Sequence, residues 1–156
     1  MARSYRLGFW RRWANRIIAA LLRLGVSFPR TYLLMVRGRK SGRLYSTPVT
    51  LVEENGERWL VGPYGEVGWV QNARAARQVT LRRGRRSETV KIVELPPEDA
   101  APVLKKYISQ FPIVRPFFDV TRESDLQDFV AEAPRHPVFR IEPDNTPVFQ
   151  TLTSSQ

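Results

Sequence analysis

The segment Gly38-Arg39-Lys40-Ser41-Gly42-Arg43 gathers three cations, a hydroxyl and two glycines in six consecutive residues, a set suited to holding a phosphate. Glycines let the backbone approach a ligand closely, Ser41 adds an O–H donor, and an arginine offers a planar fork matched to phosphate oxygens. The backbone amides of such a turn can face inward as an anion-binding concavity, with Arg39, Lys40 and Arg43 supplying charge. The glycine spacing is not that of a Walker A loop and no helix is expected after it, so the chemistry rests on a turn between strands. A charged β-turn left in solvent has the same composition.

Other chemistries are narrowed by what the chain contains. It has no cysteine, which removes disulfides, thiolate-bound zinc, iron–sulfur clusters and a cysteine nucleophile. Its one histidine, His136, lies in Pro134-Arg135-His136-Pro137 and reads as a loop residue near a strand start. One histidine cannot build a multi-histidine metal site, and its setting argues against a Ser-His-Asp triad.

The net charge of +10 is unevenly spread: residues 1–52 hold 11 of the 25 lysines and arginines and no acid, leaving 14 bases against 15 acids in the rest. The N-terminal third is the anion-seeking part. Nucleic acid, lipid headgroups and a phosphorylated, carboxylated cofactor are all compatible anions. The basic run Arg82-Arg83-Gly84-Arg85-Arg86 carries no recognised nucleic-acid motif, and no nucleic-acid partner is expected.

These residues need a scaffold, and at 156 residues the chain supports one core. Trp10, Trp13, Ala14, Ile17, Leu21 and Leu24 recur at helical spacing opposite Arg11, Arg12, Arg16 and Arg23, which predicts a basic amphipathic helix within residues 1–28. Packed on its own domain it buries its apolar face; laid in a membrane interface it would anchor through Trp and Arg. The apolar stretch Ile17–Leu22 is too short to span a bilayer, and no signal-peptide cleavage pattern accompanies it, so a cytoplasmic protein, at most peripheral to the inner face of the membrane, is expected.

Residues 29–144 are predicted to form the main domain. Strands are expected over Tyr32–Val36, Leu44–Glu53, Trp59–Val61, Val79–Leu81, Glu88–Leu95 and Val138–Ile141, with a hairpin at Asn55-Gly56 and another at Arg82–Arg86. Short helices are expected over Trp69–Ala76, from Pro96 through Tyr107, and over Asp125–Glu132. This order predicts an α+β, mainly β fold: a barrel of about six antiparallel strands with peripheral helices. Residues 145–156 read as a loose tail.

Taken in series, Leu34-Met35-Val36-Arg37-Gly38-Arg39-Lys40-Ser41-Gly42, Thr47-Pro48, Asn55-Gly56 with Trp59-Leu60-Val61, Trp69-Val70-Gln71-Asn72 and Val79-Thr80-Leu81 resemble the deazaflavin-dependent nitroreductase (quinone reductase) family. The resemblance spans residues 30–95. It implies a split β-barrel of the FMN-binding kind and the 8-hydroxy-5-deazaflavin coenzyme F420, with FMN as the alternative. By position, Arg39, Lys40 and Ser41, with Arg43 nearby, would meet the cofactor phosphate. Tyr45, Ser46, Thr47, Pro48, Val49 and Thr50 would run beside the ribityl chain and ring. Gly62, Pro63 and Tyr64 would line the ring edge, and Trp69 and Asn72 would close the other side. The coenzyme carries a phosphodiester and a glutamate tail, which gives the basic N-terminal third a purpose.

The same resemblance exposes departures. Nitro-reducing members usually carry a basic residue at the position of Tyr45 and a tyrosine at that of Thr50, with further tyrosines near the C-terminus. Here Tyr107 is the only tyrosine after Tyr64, and Phe111, Phe117 and Phe118 occupy the aromatic region. The implied activity is hydride transfer from reduced F420 to a small hydrophobic acceptor, a quinone or nitro compound. Tyr64, Ser46, Thr50 and water are the candidate proton sources. The alternative is a non-catalytic carrier of F420, flavin or another hydrophobic ligand. Such barrels often pair, so a homodimer is compatible with the chain.

Overall fold

The computed structural model describes residues 30–142, together with Arg16. The amphipathic helix expected within residues 1–28, Arg16 apart, and the tail expected over residues 145–156 therefore lie outside the described residues.

Six strands form a closed barrel: β1 (Thr31–Arg37), β2 (Leu44–Glu54), β3 (Glu57–Val61), β4 (Gln78–Arg83), β5 (Arg86–Glu94) and β6 (Val138–Ile141), in the order β1-β2-β3-β6-β5-β4. All neighbours are antiparallel. Both expected hairpins are present, at Asn55-Gly56 and at Gly84-Arg85. The α-helices α1 (Gly68–Ala76), α2 (Pro97–Gln110) and α3 (Leu126–Glu132) occupy the stretches the sequence predicts for them.

Two long strands each serve two neighbours, and this divides the barrel. Leu44–Thr50 of β2 pairs with β1, whereas Leu51–Glu54 pairs with β3. In β5, residues up to Lys91 pair with β4 and those from Ile92 pair with β6. Tyr45–Thr50 consequently has no strand partner on its second edge among the described residues. Pro48 fits there, because a residue lacking N–H is tolerated where no neighbouring strand pairs.

Side chains alternate across each strand, so one pleat feeds two cores. Leu34, Leu51, Leu60, Leu81, Ile92 and Phe139, one from each strand, belong to the barrel interior, which Val70 and Ala73 of α1 also join. Val52, Trp59, Val61 and Val138 point the other way, into a second core with α2, α3 and the aromatics Phe117, Phe118 and Phe129.

The stretch after α2 differs from a simple loop: Pro112–Phe117 is 3₁₀-helical. Pro112 and Pro116 remove two amide donors, which disfavours a continued α-helix and suits short 3₁₀ turns. His136, expected in a loop near a strand start, does lie two residues before β6 but is buried at 4% exposure.

Candidate functional site

The glycine-flanked turn closes on itself. The Gly38 amide donates to the Arg43 carbonyl (2.7 Å), the Gly42 amide to the Gly38 carbonyl (2.9 Å), and the Arg43 amide to Ser41 Oγ (3.2 Å). Those bonds leave the amides of Lys40 and Ser41 without a protein acceptor among the described residues. The Arg39 amide and its Nη1 both donate to Asn72 Oδ1, at 3.1 and 2.8 Å, and so tie the turn to α1. Asn72 is buried, and it acts on the turn from behind. Gly38 lets the Tyr45 ring lie across the turn: a Cβ there would fall 2.7 Å from Cε2 of Tyr45, and that exposed ring would have to shift.

A cavity of about 890 Å³ opens beside this turn. Gly38, Arg39, Lys40 and Ser41 contribute its polar rim, and Tyr45, Ser46, Thr47, Pro48, Val49 and Thr50 line it along the second edge of β2. Pro63, Tyr64, Val67, Gly68, Trp69 and Asn72 come from the β3–α1 loop and the start of α1, while Thr31, Val61, Tyr107 and Val114 complete the lining. Among residues singled out from the sequence, Arg43 and Gly62 lie outside it. Arg43 is exposed on the far arm of the turn, and Gly62 serves packing, since a Cβ there would stand 2.9 Å from Cγ2 of Val70.

The loop carrying Pro63 and Tyr64 is held from beneath. His136 Nδ1 lies 2.9 Å from the Pro63 carbonyl and its Nε2 lies 2.8 Å from Glu132 Oε1. Its ring stacks on Phe118 at 3.8 Å between centroids. Glu132 is also buried; its carboxylate accepts from the Asp119 amide at 3.1 Å and pairs with Arg135. Burial pushes the His136 imidazolium below the ordinary histidine range, while the bonds to Glu132 and the Pro63 carbonyl pull the other way. Tyr64 packs edge-on against Phe117, with centroids 4.8 Å apart.

Tyr107 is the lining residue that sequence reasoning missed with the most chemistry to offer. It projects from α2 and is 3% exposed. Burial pushes its phenol far above the ordinary tyrosine range, against the opposing effect of the nearby Thr50 hydroxyl, with Tyr64 adding to the rise. A solitary tyrosine on the apolar face of a predicted helix was the available signal.

Comparison with known proteins now bears on the site. The family described as F420H(2)-dependent quinone reductase matches residues 10–115, more than half of the chain. The chain belongs to this family. It is accordingly an F420H2-dependent oxidoreductase, with coenzyme F420 as its cofactor. No curated protein matches the chain. A solved structure described as an F420-H2 dependent reductase is 24% identical, with a TM-score of 0.51 over 72% of this chain and 94% of that one. Another, described as a domain-swapped dimer, is 21% identical, with a TM-score of 0.53 over 84% of this chain and 98% of that one. A conserved hypothetical protein from Mycobacterium tuberculosis is 18% identical, with a TM-score of 0.53 over 83% and 79% of the two chains. At these identities the likenesses concern the fold, a split β-barrel.

The donor set suits the cofactor of this quinone reductase family. Unpartnered amides, an ammonium and a hydroxyl cluster at one rim, as a phosphate requires, while valines, proline and aromatic rings beyond them suit a planar ring. Among the described residues no cluster of metal-ligating side chains occurs, and no helix is long and apolar enough to cross a membrane.

Proposed function

We propose that this oxidoreductase reduces a small hydrophobic electrophile, a quinone or nitro compound, held against F420 in the cavity beside β2. The observation that carries this reading is one continuous space lined at one rim by Arg39, Lys40 and Ser41 and elsewhere by apolar and aromatic side chains. Lys40 and the amides of Lys40 and Ser41 grip the cofactor phosphate, and Arg39 adds charge from a position set by Asn72. Thr47 and the second backbone edge of β2 line the length of the cofactor. Pro63, Tyr64 and Trp69 bound the ring, and Val49, Val61 and Val114 keep water from the reacting face. Bound F420H2 supplies a hydride from C5, and the protein's own contribution is to position the acceptor and limit solvent access.

Titration with oxidised F420 and, in parallel, FMN, followed by fluorescence quenching, tests this reading. F420 is expected to bind more tightly than FMN, and Lys40→Ala to weaken F420 by about tenfold, the scale of one charge-assisted hydrogen bond. Equal binding by Lys40→Ala would remove the turn from the phosphate site, and F420-bound protein that reduces neither quinones nor nitroaromatics would leave a carrier.

A homodimer belongs to the same reading, supported by a fold neighbour solved as a domain-swapped dimer. Sedimentation showing only monomer at micromolar concentration would end it. Cytoplasmic location, with the basic amphipathic sequence before Pro29 touching the inner membrane face, completes the proposal. Flotation with anionic vesicles tests that contact.

A further inference from the structure

The loop between β3 and α1, which gives the cavity Pro63 and Tyr64, is fastened to the segment before β6 at three successive residues, Arg135, His136 and Pro137. The Gly62 amide donates to the Pro137 carbonyl at 2.8 Å, and the His136 ring meets the Pro63 carbonyl at 2.9 Å. Gly65, at a φ of +82°, passes so near the Arg135 carbonyl that a Cβ would stand 3.2 Å from it. The middle fastening is made by a side chain that titrates.

Hydrogen-bond partners fix where the protons of that ring sit. A carbonyl only accepts, so Nδ1 carries a proton toward Pro63. On the other side Nε2 lies 2.8 Å from Glu132 Oε1, a distance that needs a proton on the line between them. Glu132 already receives the Asp119 amide at Oε1 and Arg135 at Oε2, and donors of that kind favour the ionised carboxylate. The second proton therefore belongs on Nε2, and the ring donates from both nitrogens. Of the further groups around the pair, the Asp119 carboxylate accepts from Arg135 Nη1 at 2.7 Å, and the Phe118 ring stacked on the imidazole brings no charge. Two phenols stand behind these, Tyr64 on the held loop and Tyr107 of α2, whose ring centroid is 6.4 Å from that of Phe118. When one proton leaves the imidazole, the charged carboxylate keeps the one on Nε2, and a bare Nδ1 then faces the Pro63 oxygen lone pair to lone pair. Burial loosens the second proton against the hold of Glu132, so it leaves as pH rises through a value below the ordinary histidine range.

We propose that His136 is a positioning residue for the cofactor ring: donating from both nitrogens, it fixes the Pro63-Tyr64 wall against Glu132, and on losing one proton it lets that wall go. The inference rests on the reading of the cavity as the F420 site and adds a pH-dependent hold on its ring-edge side. His136 does not itself line the cavity, so it acts through the loop alone.

His136 is the one histidine of the chain, so protein labelled with nitrogen-15 histidine gives a single imidazole to follow by NMR. From about pH 5 to about pH 8 its Nδ1 is expected to pass from protonated to unprotonated while Nε2 stays protonated. The Tyr64 amide, in the peptide unit of the Pro63 carbonyl, should shift over the same range. His136→Asn places an amide donor where Nδ1 stands and cannot titrate. The ratio of wild-type to His136→Asn dissociation constants for oxidised F420, in which ionisation of the cofactor itself cancels, is expected to grow from near one at the acid end to about three- to tenfold at the alkaline end, the range of one hydrogen bond. A flat ratio would overturn the proposal, as would an Nδ1 that keeps its proton throughout or a proton lost from Nε2 instead. If His136→Asn folds poorly, Glu132→Gln applies the criterion from the other side: its amide can donate to Nε2 and leave the proton on Nδ1, so the Tyr64 amide should stay constant with pH, and a wild-type titration there would sink the idea. Failure of the wild type to bind F420 would remove the cofactor reading, and the imidazole and Tyr64 signals would still decide whether His136 holds the loop by its proton.

Discussion

Oδ1 of Asn72 serves two donors of one residue, the amide and guanidinium of Arg39, from a buried position on α1. Replacing Asn72 with Ala strands that amide and releases the side chain, at an expected cost of about 1–3 kcal/mol. Arg39→Ala removes only the guanidinium contact. In a double-mutant cycle by urea unfolding the two substitutions should be non-additive by about 1 kcal/mol, and simple additivity would show that the clamp carries no coupling energy. F420 affinity should fall in Asn72→Ala even if Asn72 touches no cofactor atom, because the turn loses its anchor. The residue was legible in the sequence as a site candidate; its work as an acceptor for Arg39 was not, because that depends on where α1 meets the turn.

The cavity wall formed by the β3–α1 loop depends on elements far apart in the chain. From below, Glu132 of α3 holds His136, which meets the Pro63 carbonyl. Glu132→Ala leaves a buried histidine without its partner and should destabilise by about 3 kcal/mol, read as a lower urea midpoint. A near-neutral result would mean that the Phe118 stack alone holds the ring. From the side, Arg74 of α1 bonds both oxygens of Glu66 at 2.7 and 2.9 Å and also Glu94 of β5. Arg74 holds the Glu66 carboxyl below its ordinary value of 4.5. The folded state therefore binds that proton less readily than the unfolded chain, so the contribution is complete above about pH 4.5 and disappears as pH falls through the lowered value. Glu66→Gln should flatten the acid side of a stability–pH curve by lowering stability slightly at neutral pH and changing little below the lowered value. The effect should be small and shrink further in high salt, since the carboxylate is half exposed. An undiminished acid slope would assign it to other carboxylates.

At the scale of the whole molecule, closure by β6 joins the two halves of the barrel. Phe139 of β6 is 1% exposed and meets the interior, while its neighbour Val138 faces the helical core. Phe139→Ala should cost about 3–5 kcal/mol by opening a cavity at this junction, measured by urea or thermal unfolding. A loss under about 1 kcal/mol would mean that the interior collapses around the gap and that closure contributes little.

Local chemistry was strongly written in the chain. Alternating apolar residues, Asn55-Gly56 and the proline-led start at Pro97 determined the six strands, their hairpins and the helices, because pleat, turn and cap preferences act over a few residues. The ordered motifs from Leu34 to Leu81 determined the family. What only the tertiary structure decided is which members of the same residue types share a space. Arg39 lines the cavity and Arg43 does not, Pro63 lines it and Gly62 packs on Val70, and Tyr107 from α2 joins Thr50 of β2. Those outcomes depend on barrel closure and on helices docking across long sequence separations, where pairing is set by the packing of whole elements and leaves no periodic trace in the chain.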